Sequence, residues 1–473
     1  MKTDLSNLER FPKIIPAALI AFLFIFPGLG KHGLDSFDDC FYAQKGYEMS
    51  KNHIGYTITW NHEHTSQHPP LQFIFIALSF RLFGKNDFAA VLPSAIMGFF
   101  ICLLVFLTGK QIRSETLGFL AVLLLITTNY FLQNCQRVML DIPLTFWVTL
   151  FFFLLIFGQK KHPSFSILLA FPFGAGILTK SVLGILPFII TIFWLLIIRP
   201  SGAKTRWILW GLFLGILLGL TWPLYEWLKY GWEEITAHFV GEVWNRSVER
   251  IEMLERAVFY PKMIWRFFQP WVIPGVISGL WILSRQNLRK TPAGLISLWL
   301  LLPVIFYSVS SAQEIRYLTP ILPPLCLASA FLFILLLRKF RHQLVQAALV
   351  IIPVIAAFLH WIDPAMFYKP REKNLPLRLA ANLIQSRVPE KNPVVNILDQ
   401  KKYFYLASPL LYYAERTLNQ TPCREIRTAL SESQNINGKI LFCEPSQSDT
   451  IRNIIPGAEI IQKDPCWTLL DLK

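Results

Sequence analysis

Apolar runs of about twenty residues recur through the first three quarters of this chain, and few architectures accept them. A stretch that long crosses a hydrocarbon core of about 30 Å as a helix. Spans are expected at 14–30, 88–109, 117–134, 142–158, 163–179, 181–198, 207–225, 263–283, 292–309, 317–337 and 343–361. Composition agrees: 53% of residues are hydrophobic and 16% charged, against about 25% charged in an ordinary globular chain. Mean hydropathy is +0.44. Disordered, collagenous, coiled-coil and disulfide-scaffold classes are excluded. The chain reads as an all-α polytopic membrane protein.

Charge placement sets the orientation. The net charge is +15, which alone would suggest nucleic acid. Residues 363–473 hold 15 basic and 12 acidic side chains, so +12 of that excess lies in the membrane part. There it falls in short clusters between apolar runs, as in cytoplasmic loops, and no nucleic-acid partner is expected. One further run, 69–83, is short for a span. If it does not cross and the N-terminus is cytoplasmic, the clusters Lys110/Arg113, Lys160/Lys161, Arg199/Lys204/Arg206, Arg285/Arg289/Lys290 and Arg338/Lys339/Arg341 all lie inside. Sixteen of the 30 basic residues of the membrane part are then cytoplasmic, with three acids. If 69–83 crosses, every later cluster moves outside, against the positive-inside rule. Eleven spans with a short amphipathic or re-entrant helix at 69–83 follow.

That topology places the loop 31–87, the loop 226–262 and the tail outside. The basic N-terminus and the apolar stretch after it lack an evident small-residue cleavage site and read as an uncleaved first span. Two domains are expected: a membrane domain over 1–362 and a small extracytoplasmic α/β domain over 363–473. In the tail, 393–398, 439–443 and 467–472 read as strands, and 408–418 and 447–454 as helices. The seven cysteines form no metal-binding or redox pattern. Cys423, Cys443 and Cys466 permit one disulfide without requiring it.

Ionisable groups at membrane depth are costly and need a reason. Asp38 and Asp39 follow the first span and suit a general base, a metal ligand or a helix N-cap. The segment Trp60-Asn61-His62-Glu63-His64-Thr65-Ser66-Gln67-His68-Pro69-Pro70 carries three of the nine histidines. His62, Glu63 and His64, with His68, are candidates for a divalent metal, though their spacing matches no standard zinc site; His68 equally suits an anionic substrate. Asp141 stands at an outer boundary before Ile142-Pro143, a helix-start pattern. Lys180 is a lone cation between two apolar runs, and Arg316–Tyr317 sits in another outer turn. Snorkelling or interfacial anchoring would account for each of these last three singly. Together they put acids and cations at one membrane face, as transfer from a phosphate-bearing lipid would need.

The order of motifs resembles the polyprenyl-phosphate-dependent glycosyltransferases of the GT-C superfamily, which include protein O-mannosyltransferases and lipid A aminoarabinose transferases. It rests on Asp38-Asp39-Cys40-Phe41-Tyr42-Ala43, His68-Pro69-Pro70-Leu71, Leu82-Phe83-Gly84, Met139-Leu140-Asp141, Gly176-Ile177-Leu178-Thr179-Lys180-Ser181 and Arg316-Tyr317-Leu318-Thr319-Pro320. The resemblance implies an enzyme of the bacterial inner membrane. It would move a sugar from a polyprenyl-phosphate donor to a lipid, glycan or protein hydroxyl outside. It also implies that Asp38 is the base, with Asp39 and Asp141 in the same catalytic set, and that His68, Lys180, Arg316 and Tyr317 hold the donor phosphate. The chain departs from the family pattern in having Asp39 where Glu is usual, His68 where Lys is frequent, and Val91 where an Arg is common. No cofactor is required by this reading, and a metal stays open. The competing classes are a lipid or sugar transporter or flippase, and an inactive transferase-like assembly protein. The absence of an evident internal repeat argues against the transporter.

Overall fold

In the computed structural model, the described residues between 13 and 339 are built mostly of helices. The described residues are 13–31, 33–34, 37–200, 202–236, 238–240, 253–308 and 313–339, with short stretches between 379 and 472. In chain order the elements are α1 (Ile14–Ile25), α2 (Phe37–Lys51), β1 (Thr59–Trp60), β2 (Glu63–His64), α3 (Leu71–Phe83), α4 (Asp87–Ile112), α5 (Glu115–Ile126) and α6 (Asn129–Cys135). There follow α7 (Asp141–Lys160), α8 (Ala170–Lys180), α9 (Leu186–Phe193), α10 (Thr205–Gly219), α11 (Thr221–Tyr230), α12 (Trp232–Thr236), α13 (Met253–Phe267), α14 (Val272–Ser284), α15 (Pro292–Ser308) and α16 (Leu322–Lys339). They divide into two units. One comprises 1–29, 66–72 and 91–369, and the other 30–65, 73–90 and 370–473.

Among the described residues five helical segments are long and apolar enough to cross a bilayer: 87–112, 141–160, 163–198, 205–230 and 315–336. The chain is an integral membrane protein. The α5–α6 pair makes a sixth such segment if its 76° bend lies within one span. The bend is held chemically. Thr127 and Thr128 turn their hydroxyls back onto carbonyls of the preceding turn, and the Trp271 indole N–H donates to the Thr127 oxygen at 3.0 Å. Hydroxyls satisfied in this way can sit in an apolar interior. The expected span 343–361 lies outside the described residues. Helix α3 has 13 residues, about 20 Å at 1.5 Å per residue, shorter than a hydrocarbon core of about 30 Å, as are α1 with 12 residues and α14 with 13.

Segment 163–198 would be about 54 Å long if straight, far more than the hydrocarbon thickness. It folds back. Ser181 has φ +47°, and a Cβ on Gly184 would stand 2.4 Å from the backbone of Gly176. The chain reverses at Lys180–Ser181, where the sequence separates 163–179 from 181–198, and the two arms meet glycine to glycine. Small residues permit this close approach of membrane helices.

In the second unit, Asn61 and His62 take left-handed φ of 55° and 66°. They form the two-residue turn that suits the right-handed twist of a hairpin. Residues 411–414 are helical, and Tyr413 bridges Leu34 and Asp87: its hydroxyl accepts from the Leu34 N–H at 2.9 Å and donates to the Asp87 carboxylate at 3.4 Å. The tail carries a four-stranded sheet of β3 (Val395–Asn396), β4 (Ile440–Cys443), β5 (Ala458–Lys463) and β6 (Thr468–Leu472), in the order β3-β4-β6-β5. Only β3–β4 is parallel. Three of these strands fall where the sequence places them. Strand β5 has only two central apolar residues and was not expected. Cys423 and Cys466 lie outside the described residues.

Candidate functional site

Helices α7 and α8 run antiparallel, so the start of one stands beside the end of the other. Asp141 is in the first turn of α7, where the helix dipole favours an anion, and Lys180 closes α8, where it favours a cation. Their side chains form an ion pair, Lys180 Nζ to Asp141 Oδ1, at 2.5 Å. Exposure is 1% for the Asp141 side chain and 13% for Lys180, so the lysine alone keeps a path outward. The second carboxylate oxygen of Asp141 is buried without a hydrogen-bond partner among the described residues.

A 3-10 turn at Ile315–Ile321, leading into α16, supplies the next layer. Tyr317 places its ring 5.3 Å from the Lys180 ammonium and 6.1 Å from the ring of Tyr307. Arg316 is part-exposed and lies 3.7 Å from Glu314. Tyr130, on α6, shares a hydrogen bond with Thr319 and lies in the electrostatic reach of Asp141, Arg137 and Arg316. A half-buried cation, a guanidinium and several phenols thus gather at one end of the helices, donors suited to phosphate oxygens.

Next to this cluster is an apolar cavity of about 330 Å³, lined by Pro69, Phe173, Ile177, Ser181, Val182 and Phe239 among others. Its wall includes the residue after His68 and the residue after Lys180. His68 itself is half-buried.

In the second unit, Asp38 and Asp39 occupy the first turn of α2. Asp39 is 2% exposed and Asp38 is half-exposed. Ten residues on, Glu48 is buried and accepts the N–H groups of Asn61 at 2.8 Å and His62 at 3.1 Å. It thereby fixes the turn that carries His62, Glu63 and His64. Among the described residues no three His, Cys, Asp or Glu side chains gather to hold a metal ion, and the charge of Asp141 is already met by Lys180.

Sequence reasoning missed Tyr130, Tyr307, Glu48 and His238. The tyrosines lie in segments whose apolar character masks them. Glu48 looks like an ordinary charge on a helix face, and its role depends on a turn thirteen residues away.

Residues 67–225 match the family described as dolichyl-phosphate-mannose-protein mannosyltransferase. The whole chain superposes on the crystal structure of ArnT from Cupriavidus metallidurans bound to undecaprenyl phosphate. The TM-score is 0.77 at 15% identity, with 97% of this chain and 98% of that one covered. The chain has the fold of that protein. The oligosaccharyltransferase of Archaeoglobus fulgidus is a more distant structural neighbour, with TM-score 0.61 and 12% identity over 92% of this chain and 68% of that one. In sequence, an undecaprenyl phosphate-alpha-4-amino-4-deoxy-L-arabinose arabinosyl transferase of Pseudomonas fluorescens is 27% identical over 345 residues. That alignment takes 68% of this chain and 59% of the relative. A transferase of the same description from Pseudomonas aeruginosa is 26% identical over 400 residues, 78% of this chain and 71% of the relative. The chain thus spans about three fifths of the length of the first curated relatives it matches.

Proposed function

We propose that this protein is a GT-C membrane glycosyltransferase that moves a sugar from a polyprenyl-phosphate donor to a hydroxyl of lipid A, another glycan or a protein. The carrying observation is the Lys180 ammonium, held by buried Asp141 beside Tyr317, next to an apolar cavity of about 330 Å³. A phosphate needs the first feature and an isoprenoid chain the second. Lys180, Arg316, Tyr317 and His68 are the donor-phosphate residues in this reading, and the cavity takes the lipid nearest the phosphate.

The donor arrives with its leaving group attached, so no nucleotide site is needed. Asp38, in the first turn of α2, takes the acceptor hydroxyl proton. The hydroxyl oxygen bonds to the anomeric carbon as the bond from that carbon to the phosphate oxygen breaks, with inversion. Polyprenyl phosphate departs with the electron pair, and Lys180 and Arg316 stabilise its charge. Asp141 orients Lys180, and Asp39 supports the first turn of α2.

The same proposal includes eleven spans, a cytoplasmic N-terminus, the bacterial inner membrane, and an extracytoplasmic α/β domain over 363–473. Single cysteines at positions 85 and 160 in a cysteine-free background test the topology: 85 reacts only from outside and 160 only from the cytoplasm. Mass spectrometry of envelope glycolipids, glycans and glycoproteins with and without the protein tests the activity. One sugar-bearing species is lost with the protein, and an unchanged envelope contradicts the proposal.

A further inference from the structure

The segment after α11 holds a histidine that the transfer mechanism leaves unused. His238 is 4% exposed, and its Nε2 lies 3.0 Å from the Ser181 hydroxyl. Ser181 is the residue at which the α8 arm turns back, in a left-handed conformation unfavourable for a side chain, and it directly follows Lys180. The same imidazole lies close to the backbone carbonyls of Ser66 and Gln67, immediately before His68. A second tie joins these segments. The Ser66 hydroxyl lies 2.9 Å from a carboxylate oxygen of Glu234, four residues before His238. The indole of Trp222 stands edge-on to the imidazole at 5.1 Å and donates to buried Glu226 at 3.1 Å, closing the layer beneath it. Burial pushes His238 down to about 4, so near neutral pH it is uncharged, with Nε2 at the Ser181 hydroxyl and a buried Nδ1 that has no hydrogen-bond partner among the described residues.

We propose that His238 is a positioning residue of the donor site: it clasps the chain beside Lys180 to the chain beside His68, so that both side chains are presented to one phosphate. This rests on the donor-site reading above. Leucine at 238 keeps the bulk and removes the bond to Ser181. Glutamine can place an amide near the Nε2 position and keep it.

The test is titration of undecaprenyl phosphate into the purified full-length protein, with the lipid in matched detergent and with melting temperatures recorded. His238→Leu raises Kd about tenfold, His238→Gln restores most of the affinity, and Ser181→Ala reproduces the leucine effect from the other side of the bond. In a Lys180→Ala background the His238→Leu penalty largely disappears, because the bracket acts through the lysine. A purely structural histidine would lower the melting temperature and penalise both backgrounds alike, which overturns the proposal. So does unchanged affinity in both His238→Leu and Ser181→Ala while Lys180→Ala loses binding, and that outcome leaves the donor-site reading standing. A wild-type protein that binds no undecaprenyl phosphate overturns both.

Discussion

Asp141 and Lys180 are 39 positions apart in sequence and form a buried ion pair between the start of α7 and the end of α8. The pair follows from one tight reversal of direction. Each charge sits at the helix end that favours it, and each would be costly there alone. Lys180→Met leaves Asp141 buried and uncompensated, which costs about 3–5 kcal/mol. The double variant Asp141→Leu/Lys180→Met removes both charges and recovers much of that loss. Melting temperatures of the purified proteins decide it, and a double variant no more stable than Lys180→Met contradicts the pairing energetics.

Donor affinity separates phosphate ligands from interfacial anchors. A charge-assisted hydrogen bond contributes about 1.5–3 kcal/mol, so Lys180→Ala and Arg316→Ala should each weaken polyprenyl-phosphate binding about ten- to a hundredfold. Asp38→Asn should leave donor affinity nearly intact, since its partner is the acceptor. Unchanged affinity in both cation variants would return them to snorkelling roles.

The reversal at Ser181 makes a sharp contrast between two glycines. Alanine at 184 would place its Cβ 2.4 Å from backbone atoms of Gly176, whereas alanine at 176 meets nothing closer than 3.7 Å. Backbone cannot move aside as a side-chain tip can. Gly184→Ala should therefore cost about 1–3 kcal/mol and Gly176→Ala little, read as melting temperature. Equal effects would place the close approach elsewhere.

His238 gives a pH signature. It ordinarily titrates near 6.5 and is lowered to about 4 by burial. Above 6.5 neither folded nor unfolded protein carries its proton, and its contribution to stability is complete. As pH falls below 6.5 the unfolded chain takes up the proton first, so stability drops until about pH 4, by at most about 1.4 kcal/mol per unit. Other ionisable groups, Glu226 and Glu234 among them, lie nearby, so the measured quantity is the difference between wild type and His238→Gln across that range. A constant difference would remove the effect.

Much of this was legible in the chain because membrane physics writes plainly. The lengths of apolar runs announce helices, and α3 is as short a helix as its apolar run, at 13 residues. Asp141, Lys180 and Tyr317 stood out because an ionisable or polar group at an apolar boundary needs a partner, and the fold brings these three together. What could not be read was relational. The 76° bend of α5–α6 depends on a hydroxyl answered by Trp271, 144 residues away. Glu48 gains its meaning from two N–H groups of a distant turn. His238 sits in an unremarkable loop, and only the folded chain brings it to Ser181. Strand β5 belongs to a sheet whose pairing, rather than its own composition, makes it a strand.

The central claim is tested most directly by incubating purified protein with a polyprenyl-phosphate donor labelled in its sugar and a lipid A-containing envelope extract, then following the label. The predicted result is label moved to a hydroxyl acceptor, with free polyprenyl phosphate released in equal amount, in wild type. General-base loss costs 10²–10⁴-fold of rate, so Asp38→Asn should transfer at least about a hundredfold more slowly at full donor binding. Transfer by Asp38→Asn at the wild-type rate would contradict the mechanism. Donor that is bound or moved across the membrane with its sugar–phosphate bond intact would contradict the transferase itself.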